Sequence, residues 1–173
     1  MSLNKWKKIH LVTTGGTIEK TYDEREGTLF NRETVIKKRI NNKLRLPYTE
    51  ILVTSLMAVD SLEMTLSDRE QILAKINDLK VEGFAIVILH GTDTMQQTAE
   101  LVHSQIGALN VPVIFTGAMK PLGFEDSDAV QNVTEALIAA QLVDPGVYIS
   151  FHNRIYNVPG VRKNLGFGTF EQF

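Results

Sequence analysis

Residues 84–89, Phe-Ala-Ile-Val-Ile-Leu, are apolar without a break and stop at His90-Gly91-Thr92-Asp93-Thr94. A strand with one wet face alternates polar and apolar residues. An unbroken run predicts a strand covered on both faces, as in a parallel sheet. The pattern recurs along the chain. Residues 9–13 run into Thr14-Gly15-Gly16-Thr17, and residues 111–115 run into Thr116-Gly117-Ala118-Met119. Two more strands are expected over residues 50–54 and 147–151. Between them the apolar spacing changes to that of a helix. Ile72, Leu73, Ile76 and Leu79 share one face, with Ser67 as the N-cap, Glu70 as its capping-box partner and Gly83 beyond the end. Helices are also expected over residues 33–40 and 95–106, and from a cap at Asp126 or Ser127 through Leu142. This alternation predicts an α/β fold: a mostly parallel sheet with helices on both faces, three-layered and Rossmann-like. Residues 19–31 read as a long polar loop, either mobile and functional or merely loose. The end of the chain, with Gly160, Gly166 and Gly168, reads as irregular or hairpin-like.

Ligands of such folds bind at the carboxyl ends of the strands. Three strand ends here carry small polar, glycine-containing loops, and their convergence on one edge would make a site. Glycine removes side chains and lets backbone N–H groups approach a ligand. Thr92 and Asp93 stand before a helix, where free N–H groups and the helix dipole favour an anion or a developing oxyanion. A threonine hydroxyl needs a neighbouring base or a strong field to act as a nucleophile. Taken singly, Thr92 or Asp93 reads equally as a helix cap, and Thr14 as the closure of a turn.

Other chemistries lack their residues. The chain has no cysteine, which excludes disulfides, zinc–thiolate sites and thiol nucleophiles. It has no Gly-x-Ser-x-Gly elbow and no Walker-type loop. Thr-Gly-Gly-Thr-Ile-Glu does not fit the dinucleotide fingerprint, and the strand at residues 50–54 ends in Thr54-Ser55 without the acid that grips a ribose. The four histidines show no metal-ligand spacing, and His90 reads as a structural, hydrogen-bonded imidazole. No cofactor and no metal is expected. A net charge of −2 gives no pull toward nucleic acid or an anionic membrane. The basic run Lys37-Lys38-Arg39, with Lys43 and Arg45, reads as a solvated helix face. No segment is apolar for long enough to span a bilayer, and residues 1–8 lack a signal-peptide core, so a cytoplasmic protein is expected. The length of 173 residues suits one domain.

Together the loops are specific. Thr14-Gly15-Gly16-Thr17-Ile18, His90-Gly91-Thr92-Asp93-Thr94 and Thr116-Gly117-Ala118-Met119-Lys120-Pro121, with Ser127-Asp128 after it, resemble the successive signatures of the bacterial-type L-asparaginases. Asp60-Ser61-Leu62-Glu63-Met64 resembles that family's substrate-gripping turn. The resemblance implies hydrolysis of L-asparagine to L-aspartate and ammonia, with a small amino-acid amide as substrate. It implies Thr14 as the nucleophile, Thr92 as the second essential threonine and Asp93 as the holder of the substrate amino group. Ser61 would bind the substrate carboxylate with Glu63 beside it. Tyr22 would close over Thr14. Gly15, Gly91 and Ala118 complete the expected substrate-binding set.

Two departures from the family pattern stand out. The family places a lysine near the end of the helix that here covers residues 128–142, completing a Thr–Asp–Lys relay. No lysine occurs between Lys120 and Lys163, which are the nearest candidates for a substitute. An incomplete relay would slow the reaction, or leave a non-catalytic domain that binds an amino acid as a sensor or assembly module. The family also carries a C-terminal domain, and this chain stops about where the linker would begin. A one-domain form with an open pocket is expected, held as a homo-oligomer, dimer or tetramer.

Overall fold

The computed structural model describes residues 6–31 and 44–173. Its main sheet has six strands: β1 (Lys7–Gly15), β4 (Thr49–Val59), β5 (Ala85–Leu89), β6 (Pro112–Thr116), β7 (Gly146–Phe151) and β8 (Arg154–Asn157). Their order is β4-β1-β5-β6-β7-β8, all parallel except β8, which returns antiparallel beside β7. Among the described residues three helices connect them: α1 (Leu66–Lys80), α2 (Met95–Gln105) and α3 (Ala129–Leu142). The helix expected over residues 33–40 and the basic run within it lie outside the described residues. No helix of the described residues is long and apolar enough to cross a membrane.

Strand alternation divides the core in two. Ile86 and Ile88 of β5 pack with Ile72 and Ile76 of α1 and with Ala99 and Val102 of α2. Val87 and Leu89, one residue out of phase, pack with Val133, Ala136 and Leu137 of α3. Two helices therefore cover one face and a third covers the other, which is the expected three-layer α/β arrangement.

Two local expectations are corrected, and of the two readings of the chain end the hairpin is the one observed. The helix after β4 begins at Leu66, with Thr65 as its N-cap and Asp68 completing the capping box, two residues before the expected Ser67–Glu70 pair. Thr65 Oγ1 accepts the Asp68 amide while the Asp68 carboxylate accepts the Thr65 amide, so both orphan donors are met at that register. Residues 19–31 are not one loop. A 3-10 turn over Thr17–Glu19 leads into a hairpin of β2 (Lys20–Asp23) and β3 (Thr28–Asn31), its corner made by Gly27 at φ 65°. The end of the chain is an ordered hairpin of β9 (Val161–Asn164) and β10 (Thr169–Gln172). Phe170 pins it down: its ring stands edge-on to Phe151 at 5.0 Å, and its carbonyl accepts the Tyr156 hydroxyl at 2.6 Å.

Candidate active site

β1 connects leftward to β4 in the sheet, and β5 connects rightward to β6. Their carboxyl ends therefore open a crevice at the point where the winding reverses, the usual place for a ligand in such sheets. The glycines close the crevice's walls. A Cβ on Gly16 would collide with Gly91 Cα, and one on Gly91 would lie 2.5 Å from Ser61 Oγ. A Cβ on Gly117 would likewise collide with the His90 carbonyl. The three signature loops thus meet backbone to backbone, and the Ser61 side chain sits against Gly91. Gly15 and Gly16 also sit at φ 100° and 81°, which a side chain would resist.

Lys163 completes the group. Its ammonium donates to Thr92 Oγ1 at 2.8 Å and to Asp93 Oδ1 at 2.7 Å. The Lys163 side chain is 15% exposed and that of Asp93 39%. The expected gap in the Thr–Asp–Lys arrangement is therefore filled, by a residue from the terminal hairpin instead of from α3. β9 signals this locally. Val161 is buried and Arg162 exposed, so strand alternation turns Lys163 inward again.

Thr14 is elsewhere. It is fully buried, and its hydroxyl donates to the Leu89 carbonyl at 2.8 Å, tying β1 to β5. The bond holds the hydroxyl against β5. The hydroxyl that the loop offers is that of Thr17, three residues on. Thr17 is half-buried, and its side chain makes no hydrogen bond among the described residues.

The remaining expected residues are placed as follows. Ser61 is 1% exposed, and its hydroxyl has no partner among the described residues. Asp60 presents it by accepting the Leu62 amide at 3.1 Å, and Lys20 holds Asp60 at 2.6 Å. Those bonds hold the Asp60 carboxyl below the usual range. Glu63 is exposed, and Tyr22 stands on β2 with its ring 63% exposed. Ala118 is fully buried. The next two amides, of Met119 and Lys120, donate to Asp128 at 3.0 Å. His90 is buried and neutral, burial pulling its pKa down to about 4. Its Nδ1 lies 2.8 Å from the Gly91 carbonyl, an acceptor, so that nitrogen carries the proton. It is the structural imidazole the sequence suggests.

Glu19, which the sequence reading passes over, lies under the first loop. It is 5% exposed, and its Oε2 accepts the Gly15 amide at 2.6 Å. Burial pushes its carboxyl up to about 7, against 4.5 when free in the unfolded chain. The folded state thus favours the protonated form. That stability is fully present below about pH 4.5 and is lost as pH rises through about 7. Wild type is expected to lose about 3 kcal/mol between pH 5 and pH 9, by 1.36 kcal/mol per unit. Glu19→Gln should be nearly flat over that range. Urea midpoints measured across pH decide it, and parallel curves for the two proteins would refute the assignment.

The chain matches the family model "Asparaginase, N-terminal" over residues 8–171. It is 35% identical to L-asparaginase 1 of Escherichia coli over 87% of this chain and 45% of that protein. It is 31% identical to a glutamyl-tRNA(Gln) amidotransferase subunit of Haloquadratum walsbyi over 83% of this chain and 33% of that one. The thermostable L-asparaginase from Thermococcus kodakarensis superposes with a TM-score of 0.86 at 28% identity, over 95% of this chain and 51% of that one. The chain thus spans between a third and about half of these proteins.

Proposed function

The chain belongs to the asparaginase family, and from that membership we propose that it hydrolyses the side-chain amide of L-asparagine, releasing L-aspartate and ammonia. The observation that carries the reading is the Lys163 ammonium, bonded at once to Thr92 Oγ1 and Asp93 Oδ1 beside the loop that offers Thr17. Thr17 Oγ1 attacks the amide carbon and a C–O bond forms; the proton leaving Oγ1 is passed to the amide nitrogen, and the C–N bond breaks as ammonia departs. Water then cleaves the ester, releasing the carboxylate and restoring the hydroxyl. The positive head of α2 suits the negative oxygen of each tetrahedral intermediate. Thr92 and Lys163 carry the proton traffic: a hydroxyl that accepts from an ammonium has its own hydrogen free to donate. Asp93 keeps a second carboxylate oxygen for the substrate ammonium. Ser61 offers its unpartnered hydroxyl to the substrate carboxylate.

A non-catalytic binding role rested on the missing lysine, and Lys163 removes that ground. The kinship with an amidotransferase makes glutamine the second amide to test. Ammonia release from L-asparagine, L-glutamine and a simple aliphatic amide is the direct assay. Turnover that disappears in Thr92→Val supports the proposal, and no release from any of the three defeats it.

A further inference from the structure

Arg69 carries its charge inside the protein. It is 8% exposed, and among the described residues no carboxylate forms an ion pair with it. Its neighbour Asp68 makes no ion pair with it and accepts instead from the amide and hydroxyl of Thr65. The guanidinium is directed at the α2 head and the end of the Ser61 turn instead. Nη2 donates to Thr94 Oγ1 at 3.1 Å, the Met64 carbonyl at 3.4 Å and Gln97 Oε1 at 3.5 Å. Nη1 donates to Thr98 Oγ1 and, at 3.5 Å, to the Thr94 carbonyl.

Two of those hydroxyls pass the contact onward. Thr94 Oγ1 donates to the Ser61 carbonyl at 2.7 Å. Thr98 Oγ1 donates to His90 Nε2 at 2.8 Å, and the other ring nitrogen reaches the Gly91 carbonyl. One side chain therefore fixes both loops of the crevice that meet at Gly91 and Ser61. The charge matters as well. Arg69 lies at the N-terminal end of α2, which is itself positive and has no acidic residue in its first turn. The charge of Lys163 is met by an ion pair with Asp93, whereas Arg69 has no ion-paired carboxylate among the described residues and feels only Asp68 through space. The buried, unpartnered Ser61 hydroxyl sits at the edge of this positive region.

We propose that Arg69 is a positioning residue of this site, locking the Ser61 and His90–Gly91 loops and selecting, through its buried positive charge, substrates that place a carboxylate beside Ser61. This rests on the amidohydrolase reading and narrows its substrate class. The test compares L-asparagine with its α-carboxamide, which keeps the scissile amide and loses the carboxylate. In Arg69→Met, KM for L-asparagine should rise roughly tenfold or more, with kcat changed less, because a binding interaction is lost. Turnover of the α-carboxamide should barely change. Arg69→Lys keeps the charge without the fork and should fall between. It is the deciding variant if Arg69→Met does not fold, and wild-type behaviour of it would then overturn the proposal. So would an equal loss by Arg69→Met on both substrates, which marks a purely structural role. A wild type that releases no ammonia defeats the amidohydrolase reading. The carboxylate selection is then judged by calorimetry with L-aspartate, whose affinity must fall about tenfold in Arg69→Met.

Discussion

Replacing Lys163 with Met is expected to lower kcat for ammonia release from L-asparagine by at least about a hundredfold, the usual minimum for losing a positioned proton-transfer group. The ammonium is the one cation touching both Thr92 and Asp93 among the described residues. Without it the Thr92 hydroxyl loses its orienting donor and the Asp93 carboxylate its counter-charge. The fold should persist. Asp93 is 39% exposed, so water takes over part of what the lysine supplied, and such pairs contribute about 1 kcal/mol or less. Thermal melts alongside steady-state kinetics separate the two effects. An enzyme that melts like wild type and still turns over at wild-type rate would exclude Lys163 from the chemistry.

The second large effect distinguishes two threonines in one motif. Thr17→Ala should reduce turnover by roughly a thousandfold or more, as expected when a nucleophile is deleted and only binding and oxyanion contacts remain. Thr14→Val should behave oppositely. It removes the donor to the Leu89 carbonyl in a fully buried place and should cost about 1–3 kcal/mol of stability. The molecules that remain folded should turn over within a few-fold of wild type. Rates normalised to folded fraction, with urea unfolding of each variant, give the comparison. An active Thr17→Ala beside an inert but folded Thr14→Val would return the nucleophile to Thr14.

Much of the fold was legible because its signals are local. The unbroken apolar run of β5, with odd and even residues facing different helices, announces a strand buried on both sides. Gly15, Gly16 and Gly91 announce close backbone approach. The hairpin of β2 and β3 was missed because its strands are short and polar on most positions, which removes the period-2 signal. The misplaced start of α1 came from two capping pairs two residues apart, Thr65–Asp68 and Ser67–Glu70, of which only packing chooses one.

The site was legible only by halves. Thr92, Asp93 and Ser61 belong to contiguous motifs, and their types and order are properties of the sequence. The burial of Thr14 and its bond to Leu89 are not legible in the motif, because they depend on β5 lying alongside β1. Arg69 and Glu19 look like ordinary surface charges in the one-dimensional chain. Only the packed molecule places them beneath the loops, 8% and 5% exposed.

The sequence by itself determined the layers, the strand ends and the kind of chemistry, because hydrophobic period, glycine and helix-cap signals act within a few residues. The tertiary structure alone decided that Lys163 meets Thr92 and that Thr14 is sealed away. Both depend on the path of the chain across the sheet. The lysine stands 71 residues from its hydroxyl partner, and Thr14 stands 75 from its carbonyl. No local propensity encodes contacts over such separations; they form when the core closes and brings strand ends and hairpin together.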